Sequence, residues 1–336
     1  MRLLITGGAG YIGSHTTHLL AAQGHDIVVL DNLVYGHRKA IVDDNVQLVI
    51  GNLEDRDLVP ELFQKHAFDA VLHFAAFAYV GESIGDPLKY YRNNTAAPLV
   101  LLEAMRDAGC KQIVFSSSCA TYGEPDQFPI SECESQEPVN PYGWSKLMLE
   151  RILADCGPAW GLRSVCLRYF NACGAALDGS LGEDHDPETH LIPRLLLAVK
   201  GDIDHVEIFG DDYNTPDGTC IRDYIHVDDL AAGHAAALNY LQTNGASLGC
   251  NLGTGKGHSV KEIIQCVENV TGATVPLVYR PRREGDPASL VANASMAREK
   301  LGWQAKHTNI ALAITTAWNW MTRAHATTPS GQRQDS

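Results

Sequence analysis

The tract Pro141-Tyr142-Gly143-Trp144-Ser145-Lys146 sets a phenol and an ammonium four residues apart. Proline suits a first helical position, and Leu147, Leu149, Ile152 and Leu153 continue an apolar face behind it, so the pattern predicts a helix over 141–156. A spacing of four places Tyr142 and Lys146 on one face, one turn apart. A free phenol titrates near pH ~10, so work as a base near neutrality requires a drop of roughly 3 pH units, about 4 kcal/mol. One ammonium at ~4 Å contributes on the order of 4 kcal/mol at an effective dielectric of ~20. A nearby oxidised nicotinamide would add a second positive charge, so a phenolate base is allowed here only if Lys146 sits alongside the phenol. The pair alone is not diagnostic, because Tyr35 and Lys39 share the spacing and most such pairs are two surface residues.

The elements around the pair give it a setting. Arg2-Leu3-Leu4-Ile5-Thr6 reads as a short buried strand, followed by Gly7-Gly8-Ala9-Gly10-Tyr11-Ile12-Gly13 and a helical pattern to about Gln23. Gly7, Gly10 and Gly13 permit a tight turn, close approach to a pyrophosphate and packing of helix on sheet; the helix amides then receive the phosphate charge. A second strand, Asp26–Leu30, ends in Asp31, placed to accept from a ribose 2′-hydroxyl and to repel a 2′-phosphate. Strands at 46–50, 70–74, 112–116 and 163–167 alternate with helices at 55–66, 86–108 (interrupted by Pro98) and 141–156. That order predicts an α/β fold, a Rossmann-like doubly wound parallel sheet with ligands at the carboxyl ends of its strands. Ser116-Ser117-Ser118 follows one such strand; serines there are commonly turn residues, yet a hydroxyl could reach the cleft of Tyr142.

After Gly174 the rhythm changes. Residues 175–188 are rich in Gly, Asp and Pro and read as a loop, followed by helices near 191–200, 227–242, 259–271 and 308–323 and strands near 206–209, 248–252 and 276–279. The expected division is a dinucleotide-binding domain over 1–174, rejoined by about 227–255, a smaller mixed substrate domain over 175–325, and a disordered tail at 326–336. The cluster Arg280-Pro281-Arg282-Arg283, with Arg222, could clamp a second diphosphate, since guanidinium geometry suits phosphate oxygens.

The totals narrow the classes. At 336 residues, 45% apolar and 20% charged, the chain can build a sizeable core. A formal charge of −14 argues against nucleic acid or an anionic membrane surface as main partner. No apolar run is long enough to cross a bilayer, and the N-terminus does not read as a secretory signal. Nine scattered cysteines without a CxxC pair fit reduced thiols in the cytoplasm better than a disulfide framework. The His15/His18 and His185/His190 pairs lack a supporting ligand set, so no metal is expected.

Taken together, these residues resemble the nucleotide-sugar epimerases of the extended short-chain dehydrogenase/reductase family over roughly residues 2 to 323. The supports are the glycine turn, Asp31-Asn32-Leu33, His73-Phe74-Ala75-Ala76, Val80-Gly81-Glu82-Ser83, Ser116-Ser117-Ser118, Tyr142 with Lys146, Arg168-Tyr169-Phe170-Asn171, Arg222-Asp223-Tyr224-Ile225-His226-Val227 and Arg283-Glu284-Gly285-Asp286. The last two are more specific than the glycines. The resemblance implies that UDP-galactose and UDP-glucose are interconverted through a 4-keto sugar with retained NAD. It implies Tyr142 as base on the sugar 4-hydroxyl, Lys146 as its pKa partner and Ser118 as a hydrogen-bond partner to the same oxygen. NAD would be held by Gly7, Gly10, Tyr11, Ile12, Gly13, Asp31, Asn32, Asn52, Leu53, Phe74, Ala75, Ala76, Asn93, Ser116, Tyr142, Lys146 and Phe170. The UDP-sugar would meet Ser118, Tyr142, Tyr169, Asn171, His190, Leu191, Glu207, Phe209, Arg222, Arg283, Asp286 and Leu290. A homodimer joined by the helices near 90–108 and 141–156 is also implied.

The chain departs from the family pattern at four places. Asn52 stands where many members carry an aspartate toward adenine, and Ala78 where many have a lysine near the cofactor. Ala120 replaces a frequent hydroxyl residue, and Leu290 falls where some members place a tyrosine at the hexose pocket, which suggests weak action on UDP-N-acetylglucosamine as well. Three rivals fit less well, one of them a simple NAD-linked dehydrogenase, for which the implied UDP clamp would serve little purpose. A 4,6-dehydratase needs an acid/base carboxylate pair after the serine tract, where this chain has Cys119-Ala120. A non-catalytic NAD sensor has no use for Ser118, Tyr142 and Lys146 together.

Overall fold

The glycine turn, Asp31 and the serine tract all lie at the carboxyl ends of strands in one sheet, and the chain order of those strands explains the cleft they share. The computed structural model describes residues 1–125, 127–283 and 286–326, with side chains to Arg323. The chain runs through β1 (Arg2–Thr6), α1 (Tyr11–Ala22), β2 (Asp26–Asp31), β3 (Val46–Ile50), α2 (Leu58–Lys65), β4 (Ala70–His73), α3 (Val80–Gly85), α4 (Pro87–Tyr91), α5 (Ala97–Ala108), β5 (Gln112–Ser116), α6 (Pro141–Trp160) and β6 (Arg163–Tyr169). It continues through β7 (Asn171–Cys173), α7 (Leu191–Lys200), β8 (Val206–Phe209), β9 (Ile221–His226), α8 (Val227–Gln242), β10 (Leu248–Leu252), β11 (Gly257–Ser259), α9 (Val260–Thr271), β12 (Leu277–Arg280), β13 (Ser289–Leu290) and α10 (Ile310–Ala326).

The main sheet has the order β10-β6-β5-β4-β1-β2-β3, and every neighbouring pair is parallel. From β1 the chain builds outward through β2 and β3, then returns to β4 on the other side. Ligand crevices of doubly wound sheets open at such a reversal. Near-continuous apolar strands fit burial on both faces: β1 and β2 expose only their first residue. One face packs with α8 residues such as Leu230 and Leu238, the other with Leu101 and Met105 of α5 and Leu149 and Leu153 of α6. A second core joins α7, α9 and α10 with the small parallel pair β8–β12. Between the two lies β9, paired with β7, β11 and β13, and beside it a small cluster of Cys119, Tyr122, Ile130, Phe170 and Ala292.

Local chemistry accounts for several boundaries that differ from expectation. The second helix begins at Leu58, not Asp55, because the Asp55 carboxylate accepts the Asp57 and Leu58 amides (3.0 and 2.9 Å) in a turn ahead of it. Pro98 does not interrupt a helix; it lies in the first turn of α5, where a missing N–H costs little, and the break is a wider π-type turn over Arg92–Ala96. Helix α6 runs four residues beyond 156, capped by Asn140, whose side chain accepts from Gly143 N (2.9 Å), and closed by left-handed Gly161. The disorder expected beyond Ala326 lies outside the described residues. No helix among the described residues is long and apolar enough to cross a membrane.

Candidate active site

The glycine turn is built by close approach. Gly7 has φ +72°, and a Cβ there would stand 2.5 Å from Ala75 N, so only glycine lets the ends of β1 and β4 meet. A Cβ on Gly13 would fall 2.1 Å from Gly7 O, so α1 can start against the turn only without a side chain. No side chain caps the first amides of α1, whose N-cap is Gly10, which leaves them free for an anion. Asp31, buried at the end of β2, accepts from Ala9 N (2.9 Å) and Leu33 N (2.8 Å) and so ties the turn to its own strand. Burial raises its carboxyl pKa, and those two hydrogen bonds oppose the rise. This cradle and its acid fit NAD.

A single open cleft gathers most of the residues singled out in the sequence. It is lined by Gly7, Gly10, Tyr11, Ile12, Gly13, Asp31, Asn32, Leu53, Phe74, Ala75, Ala76 and Asn93, then by Ser116, Ser118, Tyr142, Tyr169, Phe170, Asn171 and His190. Asn52 is not a wall residue; its side-chain oxygen accepts from Asn32 Nδ2 (2.9 Å) at the rim. Leu191, Glu207, Phe209, Arg222, Arg283, Asp286 and Leu290 are not in this wall but lie toward β8, β9 and β13. There Arg222 is ion-paired with Asp286, the Arg283 guanidinium lies 3.9 Å from the Phe209 ring centroid, and Glu207 accepts from Arg280 (2.8 Å). Arg282 is held by Asp212 (2.6 Å) and lies over Tyr213. The motif residues Glu284 and Gly285 lie outside the described residues.

Tyr142, Ser118 and Lys146 meet where β5 gives way to α6. Tyr142 and Lys146 are both buried, and the Ser118 side chain lines the cleft beside the phenol, close enough to favour its charged form. Ser118 also accepts from Ala120 N (3.1 Å), which fixes its oxygen. Lys146 Nζ donates to the Ser116 carbonyl (2.7 Å) and lies 5.8 Å from the Tyr142 ring centroid, nearer the Phe115 ring at 5.0 Å.

In the chain alone, these contacts do not lower the phenol. Burial, then the neighbouring Tyr169, push the Tyr142 pKa up, and only Ser118 opposes them. Lys146 itself is pushed down to about 7 by burial, with Glu150 opposing. The reason is desolvation: excluding water from this corner disfavours both charged forms, and an ammonium half neutralised near pH 7 supplies little field. The chain alone therefore holds a protonated phenol.

The sequence reading also passed over part of the cleft. Tyr35, Phe77 and Tyr79 line it, as do Glu183 and His185. The view that the His185/His190 pair lacks supporting ligands fails, because Glu183, His185, Glu188 and His190 offer ligand atoms all within 4.8 Å of one another. Burial would lower both histidines, but Glu183 and Glu188 outweigh it and raise them; the same contacts lower both glutamates against burial. The signal was present as Glu-x-His-x-x-Glu-x-His over 183–190, visible once carboxylates are counted with imidazoles. The other pair stays apart: His15 Nδ1 bonds to Tyr11 O (2.8 Å) and His18 pairs with Asp43 (3.0 Å).

A doubly wound parallel sheet, a glycine cradle backed by an acid, and a buried tyrosine–serine–lysine group facing it define a dinucleotide-dependent enzyme. Comparison with known proteins gives the family. The profile of the NAD dependent epimerase/dehydratase family matches residues 3–253, and this chain belongs to that family. It is 49% identical over 331 residues to the UDP-glucose 4-epimerase of Lacticaseibacillus casei, covering 98% of each chain. It superposes on UDP-glucose 4-epimerase from Brucella ovis in complex with NAD with a TM-score of 0.92 and 52% identity, over 95% of this chain and 97% of that one. The UDP-Glc/GlcNAc 4-epimerase of Campylobacter jejuni matches with a TM-score of 0.84 and 43% identity, over 96% and 99%.

Proposed function

We infer that this chain is an isomerase that interconverts UDP-galactose and UDP-glucose through a 4-keto sugar, using NAD. The observation that carries the reading is Ser118 and Tyr142 in one cleft with the glycine cradle, with Lys146 buried alongside on Ser116 O. Bound NAD would supply the hydride acceptor and donor for the sugar C4. Gly7, Gly10, Gly13 and the first amides of α1 would hold its pyrophosphate, and Asp31 its ribose. Tyr142 Oη takes the 4-hydroxyl proton and gives it back; Ser118 keeps that oxygen in line. The positive charge that lowers the phenol would come with the oxidised nicotinamide, while Lys146 is anchored beside it on Ser116 O. Arg222 and Arg283 hold the UDP half, which leaves the hexose free to turn over. Cys119 is buried with its thiol pushed up by burial, to about 12, so it offers no acid for a dehydratase.

Purified protein incubated with UDP-galactose and no added NAD is expected to yield UDP-glucose. No conversion, even after NAD is supplied, would overturn the assignment.

A wider substrate range follows from Leu290, which packs against the cluster of Cys119, Tyr122 and Phe170 beside the cleft. We infer weak conversion of UDP-N-acetylglucosamine, as the Campylobacter jejuni relative's name also suggests. Leu290→Tyr is expected to cut that conversion at least about tenfold while UDP-galactose conversion changes by less than about threefold. No detectable turnover of UDP-N-acetylglucosamine by the unmodified chain at millimolar concentration would refute this.

We also infer a cytoplasmic homodimer joined through α4, α5 and α6. Leu88, Leu99, Trp144 and Met148 are 70%, 41%, 41% and 40% exposed on these helices, an apolar surface suited to a second copy. Nine free thiols fit the reducing compartment. Sedimentation as a monomer at micromolar concentration would contradict the dimer.

A further inference from the structure

The loop from Ala175 to Thr189 forms no helix or strand, yet it carries three of four clustered metal-ligand side chains, and the fourth, His190, immediately precedes α7. His185 Nδ1 stands 3.1 Å from Glu183 Oε1 and 3.6 Å from Glu188 Oε2. His190 Nδ1 stands 2.8 Å from Glu183 Oε1 and 2.9 Å from Glu188 Oε1. Tetrahedral coordination with bonds of about 2.0–2.1 Å separates ligand atoms by about 3.3–3.4 Å; these four imidazole–carboxylate spacings bracket that edge, and the remaining pairs lie within 4.8 Å.

We propose that Glu183, His185, Glu188 and His190 form a structural site for a divalent cation of borderline softness, best matched by Zn2+. Two imidazoles and two carboxylates are a suitable set, and four protein ligands make the site closed rather than catalytic. The charge also balances: two carboxylates need two positive charges, which either two imidazolium protons or one divalent cation supplies. On binding, each ligating histidine releases its proton to solvent and donates the freed lone pair to the metal. The outer contacts are in place. Glu188 Oε1 accepts from the amides of Thr189 and His190 (2.7 Å each), which orients that carboxylate, and the His185 ring meets the rings of Tyr11 and Tyr79 edge-on.

The site's position gives it a purpose. Tyr11 of the glycine turn donates to Gly174 O (2.6 Å) just before the loop, and Asp184 within it pairs with Lys39 (2.7 Å) while its carbonyl meets His37 Nε2 (2.9 Å). A cation here fastens the loop over the dinucleotide side of the cleft. Neither turnover nor the sugar assignment enters the argument.

The test uses the untagged full-length protein, stripped by chelator, loaded with Zn2+, desalted and measured for metal by mass spectrometry. About one equivalent per chain is expected, falling at least about tenfold in Glu183→Gln/Glu188→Gln and unchanged in the loop control Asp178→Asn. Less than about a tenth of an equivalent in the unmodified chain, or a double variant that retains as much as the unmodified one, overturns the proposal. Should the double variant fail to fold, Co2+ loaded into the unmodified chain decides. Intense visible absorption of a four-coordinate ion is expected, and a weak six-coordinate spectrum or none overturns the site.

Discussion

Tyr142→Phe is expected to lower conversion of UDP-galactose by about 10²–10⁴-fold, the range for removing a positioned acid/base group. The fold should survive, because the ring itself is what packs: Tyr142 is buried and meets Tyr90 edge to face at 6.5 Å between centroids. Loss of the hydroxyl removes a buried polar atom whose neighbour, Ser118, still accepts from the Ala120 amide. Bound NAD, released by heat and assayed enzymatically, should stay near the unmodified content, since the cradle at Gly7 and Gly13 is untouched. The decisive pattern is low kcat with retained cofactor. Turnover within about threefold of the unmodified chain would remove Tyr142 from the chemistry.

The same residue shows what could and could not be read in advance. Its place on a helix after Asn140-Pro141, and the glycine–strand–acid order ahead of it, are local patterns of spacing and turn chemistry, so they are legible in a linear text. The direction of its pKa is not, because it depends on how much water the folded corner excludes and on where the Lys146 side chain reaches. Strands β7, β9, β11 and β13 were missed for a related reason. Three of them are two or three residues long, too short to show alternation, and β9 joins partners at 171–173, 257–259 and 289–290 that only the tertiary fold brings together. Asp223 illustrates the cost of missing it. Fully buried in β9, it accepts from Thr254 N (3.0 Å), Thr254 Oγ1 (2.6 Å), Gly255 N (2.9 Å) and Ala292 N (3.2 Å), and so fixes the strand that presents Arg222. The Glu183–His190 cluster needed a different kind of attention, to carboxylates and imidazoles as one donor set.

Removing the Glu150 carboxylate is expected to destabilise the chain by about 3–5 kcal/mol, the range for leaving one member of a buried ion pair uncompensated. Glu150 lies on the buried face of α6, one turn beyond Lys146, and receives Arg168 from β6 through Nη2 (2.6 Å) and Nε (3.0 Å). Ser117 Oγ donates to it as well (2.5 Å), and Arg168 Nη1 reaches the Tyr122 hydroxyl (3.0 Å), which donates to Asn251 Oδ1 (2.8 Å). The network thus ties α6, the serine tract, β6 and β10 behind the catalytic corner. In Glu150→Ala the guanidinium stays buried with its principal partner gone, and neither water nor a neighbouring carboxylate can replace it cheaply. Adding Arg168→Met should recover most of the loss, because the cost comes from the stranded charge rather than from the pair's absence. Denaturant midpoints of the two single variants and the double variant measure this directly. If Glu150→Ala cost less than about 1 kcal/mol, or if Arg168→Met deepened the loss, the network would be ornamental to stability and the serine tract would need another anchor.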